Sequence, residues 1–256
     1  MGPVFSDIKA VIFDLGETLC TRAFSLEKQE EMVTREISRL LIRVGHPAAE
    51  KFYRELKDQI WKDWKENAER SGLEFQLEDF WGHLLQRTGI PPGEIPSSVA
   101  KISEIIYRHD LENVIIKPTV AETLQQLRRG EYLQGLISNS SYSYDHILRI
   151  LEKLKIKDFL DVVLVSSREG IAKPNQLIFK KALSLLQVEP GEAVFIGDNL
   201  EVDILGAKSV GMRTILVSDE EIDGSNLAAA PPSDRRIKFL KDLLPFLPPR
   251  GKNSDR

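Results

Sequence analysis

Val11-Ile-Phe-Asp-Leu-Gly-Glu-Thr-Leu19 decides the fold, because an apolar run ends in an aspartate followed by a turn. That order places Asp14 at the carboxyl end of a buried strand, where open α/β sheets put their chemistry. Much further along, Ala193-Val-Phe-Ile-Gly-Asp-Asn-Leu-Glu-Val-Asp203 repeats the arrangement. A second strand therefore delivers Asp198, and Asp203 follows in the loop or first helical turn. Two carboxylate clusters at strand ends point to a bound hard cation.

Between these stretches the pattern first becomes helical. Met32, Val33, Ile37, Leu40, Leu41 and Val44 recur at three- and four-residue steps until Gly45-His-Pro47 stops them. A second helix is predicted with Phe52, Leu56, Ile60 and Trp64 on one face, a third with Phe80, Trp81, Leu84 and Leu85, and a fourth with Val99, Ile102, Ile105 and Ile106. Residues 20–114 thus read as an all-helical module inserted after the first strand. The three tryptophans, Trp61, Trp64 and Trp81, lie in this module at spacings that favour core packing over ligand stacking.

From Pro118 the chain alternates helix and strand, the signature of right-handed βαβ units in a parallel sheet. Strands are expected at Leu133–Ser138, Val162–Ser166, Ala193–Ile196 and Thr214–Val217, with helices between them, one of them through Ile204 and Ala207. Residues 219–235 read as an exposed connection and Ile237–Leu247 as a short amphipathic piece. The expected organisation is an α/β core with a doubly wound, Rossmann-like parallel sheet over 1–19 and 115–247, the helical module as a cap, and a tail of disordered composition over 248–256.

Composition narrows the function classes. A chain of 256 residues with 42% hydrophobic and 29% charged content reads as a soluble globular protein, and its net charge of -4 offers no global basic field for nucleic acid. No apolar run approaches the roughly 20 residues of a membrane helix, and the start lacks a secretory signal, so a cytoplasmic protein is expected. The single cysteine, Cys20, rules out an intrachain disulfide and reads as a small core residue. The four histidines show no metal-ligand spacing. Gly206-Ala-Lys-Ser209 lacks the glycines of a P-loop, and no Gly-x-Ser-x-Gly elbow is present.

Polar residues come from four strand ends in chain order: Asp14, then Ser138 with Asn139, then Lys173 in Gly-Ile-Ala-Lys-Pro, then Asp198 with Asp203. This inventory suits phosphoryl transfer. A carboxylate can attack phosphorus, a hydroxyl and an ammonium can hold the transferring oxygens, and carboxylates can bind Mg²⁺, the cation favoured by hard oxygen ligands.

With these four motifs in order, the chain resembles the haloacid dehalogenase superfamily over residues 8–20 and about 115–220. The resemblance implies a Mg²⁺-dependent phosphatase acting on a small phosphorylated metabolite, with the inserted helices as a cap. It implies Asp14 as nucleophile, Ser138 as the phosphate-binding hydroxyl and Lys173 as stabiliser of the nucleophile and the transferring group; Asn139, beside Ser138, is a candidate either for contact with substrate or for an Asx turn that ties its own loop. Asp14, Asp198, Asp203 and the Gly16 carbonyl would form the metal site.

One position departs from the pattern. Phosphatases of the family usually carry an acid/base aspartate two residues after the nucleophile, where this chain has Gly16. General acid–base catalysis is worth about 10²–10⁴ in rate. Either the substrate has a stable leaving group, such as an anomeric, aryl or acyl phosphate, or the proton comes from Glu17, His46, His83 or His109, or the protein binds without turnover. Strand alternation directs Glu17 away from Asp14. Two rival readings therefore stand beside the phosphatase: a metal-independent 2-haloacid dehalogenase, whose branch also lacks that aspartate, and a non-catalytic binding or regulatory protein.

Overall fold

The computed structural model describes residues 5–47, 57–64, 66–67, 73–218 and 233–250. Its strands, in chain order, are β1 (Ala10–Phe13), β2 (Cys20–Arg22), β3 (Val114–Ile116), β4 (Leu133–Ser138), β5 (Val162–Val165), β6 (Ala193–Gly197), β7 (Arg213–Val217) and β8 (Arg235–Ile237). Its helices are α1 (Leu26–Arg43), α2 (57–64), α3 (Leu77–Arg87), α4 (Ile95–Asn113), α5 (Val120–Arg129), α6 (Tyr144–Lys153), α7 (Ser166–Glu169), α8 (Gln176–Leu186) and α9 (Gly206–Lys208).

β1 lies at the centre of a six-stranded parallel sheet in the order β5-β4-β1-β6-β7-β8. The chain builds outward from β1 on both sides, so the crevice beside its carboxyl end is a topological switch point. Strand alternation sends Val11 and Phe13 to one face and Ala10 and Ile12 to the other. The first pair packs with Leu124 and Leu127 of α5 and Ile147 and Ile150 of α6, the second with Ile178 and Phe179 of α8 and Ala207 of α9. All four β1 residues are fully buried, which explains their unbroken apolar run.

The helical insertion has its own core of Ile37, Leu41, Ile60, Phe80, Trp81, Leu84, Leu85 and Ile102. Trp61 and Trp64 meet Phe75 and Phe80 edge to face, the packing role expected from their spacing. Phe52 and Leu56 of the predicted second helix lie outside the described residues. The two chain passages between insertion and sheet pair antiparallel as β2 and β3. Fully buried Asn113 fastens them, donating to the Phe24 carbonyl and to Gln29 and accepting from the Phe24 N–H.

Several boundaries differ from the sequence expectation. Ser166 does not extend β5 but opens α7. Arg235–Ile237, where the expected connection meets the expected amphipathic piece, instead adds a sixth strand beside β7, and within that piece Leu240–Phe246 is a 3-10 helix. Periodicity misses this edge strand because a three-residue run shows no alternation. The helix expected through Ile204 opens as a π-helix over Leu200–Leu205, with the Asn199 side chain accepting from the Glu201 and Val202 N–H groups. Of the expected tail, Pro248 accepts from the Tyr132 hydroxyl and Arg250 donates to Gly130, while residues 251–256 and 219–232 lie outside the described residues.

Candidate active site

Strand register assembles the site. Phe13 lies level with Leu136 and Ile196, so Ser138 and Asp198 each reach one residue beyond Asp14 at the same edge of the sheet. The loop after α7 brings in Lys173, and the π-helix brings in Asp203. Asp14, Ser138, Lys173 and Asp203 are all buried, whereas Asp198, Asn139, Gly16 and Glu17 form an exposed rim.

The Lys173 ammonium donates to Asp14 Oδ1 and to Asp203 Oδ1, each at 2.7 Å. Carboxylate oxygens of Asp14, Asp198 and Asp203 lie within 4.8 Å of one another. Three carboxylates, Asp14 and Asp203 buried and Asp198 at the exposed rim, thus face one ammonium, leaving two negative charges unbalanced. The titration behaviour follows. Burial pushes the Asp14 carboxyl up to about 6; Lys173 opposes that rise and the Asp203 charge adds to it. Asp198 is raised by its partial burial and then by Asp203. Burial works against the Lys173 ammonium, but Asp14 and Asp203 together outweigh it and hold its pKa above the usual range.

Two glycines permit this crowding. A Cβ on Gly197 would sit on the Asp203 carboxylate, and one on Gly206 would lie 2.8 Å from the Phe179 ring and 3.1 Å from the Pro174 Cα beside Lys173. Asp203 is placed further by the Asn199 N–H, which donates to its Oδ2.

Other predicted residues fall out differently. The Asn139 side chain is engaged by a third segment: its amide nitrogen donates to the Lys173 carbonyl and its oxygen accepts from the Lys173 N–H, both at 2.8 Å, so it braces the Lys173 backbone. Glu17 adopts left-handed backbone (φ 53°), so strand alternation ends there. Both its carboxylate oxygens accept from the Thr21 hydroxyl, and its carbonyl accepts from Lys117. Partners of the insertion's histidines lie within the insertion: His46 with Glu94, His109 with Glu36, and His83 against Trp64. Burial pushes the Cys20 thiol up to about 12, as suits an inert core residue. Sequence reasoning missed Lys117, Asn113, Glu74 and Ser166, whose contacts join segments far apart in the chain; no local pattern marks them.

The family model of the haloacid dehalogenase-like hydrolases matches residues 8–211. This chain belongs to that family. It is 33% identical over 254 residues to the glyceraldehyde 3-phosphate phosphatase of Pyrococcus furiosus, spanning 97% of this chain and 96% of the relative. It is 29% identical over 244 residues to the ribulose-1,5-bisphosphate 5-phosphatase of Halopiger xanaduensis, spanning 92% and 95%. Among solved structures, a 2-haloacid dehalogenase from Pseudomonas syringae pv. Tomato DC3000 has a TM-score of 0.69 at 24% identity, covering 94% of this chain and 98% of that one. A HAD phosphatase from Thermococcus onnurineus has a TM-score of 0.62, also at 24% identity, covering 94% and 99%. These two structures establish the fold alone, since a dehalogenase and a phosphatase share it. Within this haloacid dehalogenase-like hydrolase, the strand-end motifs that carry the family resemblance are the ones brought together around Lys173.

Proposed function

We propose that the chain is a Mg²⁺-dependent phosphatase that hydrolyses a small phosphorylated sugar through an aspartyl-phosphate on Asp14. The observation that carries this reading is the charge imbalance: Asp14, Asp198 and Asp203 share a single ammonium, and a divalent cation offsets the remaining charge. Hard oxygen donors, and a glycine at 197 that leaves room for the Asp203 carboxylate, fit such an ion. Asp14, Asp198 and the Gly16 carbonyl would hold it directly. Asp203, with both oxygens already engaged by Lys173 and Asn199, would reach it through water. When bound, Mg²⁺ supplies Lewis-acid polarisation of phosphoryl oxygens. The phosphatase relatives named above support the substrate class.

In the first step an Asp14 carboxylate oxygen bonds to phosphorus as the bond to the leaving oxygen breaks. The Ser138 hydroxyl and the Lys173 ammonium hold the non-bridging oxygens. Water then attacks phosphorus, releasing phosphate and restoring Asp14. Gly16 carries no acid, so the leaving oxygen takes its proton from solvent at the exposed rim, and substrates with stable leaving groups react fastest.

The test is turnover of an aryl phosphate with and without Mg²⁺, alongside Asp14→Asn. Activity that needs both the metal and Asp14 is expected. Full Mg²⁺-dependent turnover by Asp14→Asn would reject the mechanism, and halide release from a 2-haloacid in the presence of a chelator would favour the dehalogenase instead.

A further inference from the structure

Residues 73–77, at the start of α3, dock directly on the two loops that lead from Ser138 and to Lys173. Leu73 forms an antiparallel bridge with Ile171, and the Glu74 N–H donates to the Gly170 carbonyl. The Leu77 N–H donates to the Ser141 carbonyl. One contacted loop runs from Ser138, the other leads to Lys173, and Asn139 ties them together.

At the centre of this contact is Ser166, fully buried at the start of α7. Its Oγ accepts from the Ser140 N–H at 2.8 Å. Its single hydroxyl proton faces two acceptors, Glu74 Oε2 at 2.9 Å and the Ser140 carbonyl at 3.3 Å. The nearer acceptor is a carboxylate, and charge-assisted hydrogen bonds are about twice as strong as neutral ones. With the insertion docked, the proton goes to Glu74 and a polarised chain runs from the Ser140 N–H through Ser166 to the carboxylate. With the insertion withdrawn, the proton has only Ser140 itself to turn to. The other oxygen of Glu74 accepts from the Phe75 N–H, which orients the carboxylate toward the core.

We propose that Glu74 is a positioning residue that couples docking of the helical insertion to the phosphate-binding loop, acting through Ser166 on the backbone of Ser140. Ser140 stands two residues beyond Ser138, and the same loop steers Lys173 through Asn139. The phosphate site is therefore fully formed only when the insertion is down, before any contact between the insertion and a leaving group. The proposal rests on the phosphatase reading only for the identity of the anion.

The test compares wild type, Glu74→Ala, Glu74→Gln, Ser166→Ala and the Glu74→Ala/Ser166→Ala pair in three measurements: affinity for inorganic phosphate in the presence of Mg²⁺, amide hydrogen exchange of residues 138–143 in the free protein, and Tm. Inorganic phosphate has no leaving group, so it isolates the loop from substrate contacts. Glu74→Ala and Ser166→Ala are each expected to weaken phosphate binding roughly tenfold, the scale of one charge-assisted hydrogen bond. Each should also speed exchange at 138–143, and the pair should do no worse than either alone. Glu74→Gln keeps an acceptor oxygen but loses the charge, so it should recover part of the affinity and fall between Glu74→Ala and wild type. A merely structural role would lower Tm in step with affinity and would not be rescued by glutamine.

Wild-type phosphate affinity and exchange in Glu74→Ala, combined with a raised KM for an organic phosphate, would overturn the proposal by placing Glu74 on the leaving group. Additive losses in the pair would overturn the relay. If wild type binds no phosphate, the phosphatase reading fails, and exchange at 138–143 still decides the coupling. Should Glu74→Ala not fold, Glu74→Gln and Ser166→Ala decide it by the same readouts.

Discussion

Replacing Lys173 with methionine keeps the stem's length and apolar character while removing the one cation among three carboxylates. The carboxylate oxygens lie within 4.8 Å of one another, and at that separation each ionised pair repels by about 3 kcal/mol at an effective dielectric of about 20. Removing one partner of a buried ion pair costs about 3–5 kcal/mol. With a shift of roughly 2–4 °C per kcal/mol for a chain of this size, Tm at neutral pH in a chelator should fall by about 10 °C. The loss should depend on pH with a definite sign. Asp14 already titrates near 6 in the folded protein, above its unfolded value, and without Lys173 it moves higher. A carboxyl raised on folding contributes stability below its unfolded pKa and loses it as pH rises through the folded one. The deficit should therefore be largest above the variant's raised Asp14 pKa, shrink as pH falls toward about 6, and level off below it, where Asp14 is protonated in both proteins. Mg²⁺ should recover more Tm in the variant than in wild type, because it replaces the lost charge. Thermal melts across pH, with chelator and then with Mg²⁺, read all three effects. A variant that melts with wild type at neutral pH, or whose deficit ignores pH, would refute the claim that Lys173 neutralises the cluster.

Gly16→Asp should fold with little change in Tm, since a Cβ there meets no heavy atom within 4 Å; turnover of an alkyl phosphate should rise by about 10²–10⁴ if the missing acid limits the rate. An unchanged rate would show that proton transfer is not limiting. Gly197→Ala puts a Cβ on the Asp203 carboxylate, so Mg²⁺ affinity measured by calorimetry should fall at least about tenfold, the scale of losing a group that orients metal ligands. In wild type, the Tm increase given by Mg²⁺ should be small below about pH 6 and grow as Asp14 ionises; an increase that is flat across that range would mean Asp14 is not a ligand.

The parts of the site on regular elements were legible in the sequence. β1 and β6 read as buried strands because both faces of the sheet are covered, which makes their apolar runs continuous. A strand end followed by a turn then fixes where Asp14 and Asp198 emerge. The parts on irregular backbone were not legible. Asn139 was expected either at the substrate or in its own loop, and instead clamps Lys173, because only the folded chain brings residues 139 and 173 together. Glu17 was assigned a direction by strand alternation, and a single left-handed residue voids that rule. β8 escaped notice because a three-residue edge strand is defined by its neighbour β7 rather than by its own pattern.

Taken by itself, the sequence determined the alternation of the core's longer strands and helices, the inserted helices and the identity of the strand-end residues, because periodicity, turn residues and apolar runs are local properties of the chain. Only the tertiary structure decided the electrostatics of the cluster, the partners of the insertion's histidines, and the contact of Glu74 with Ser166. These depend on distances between segments far apart in sequence and on the exclusion of water around them, and neither leaves a local signature.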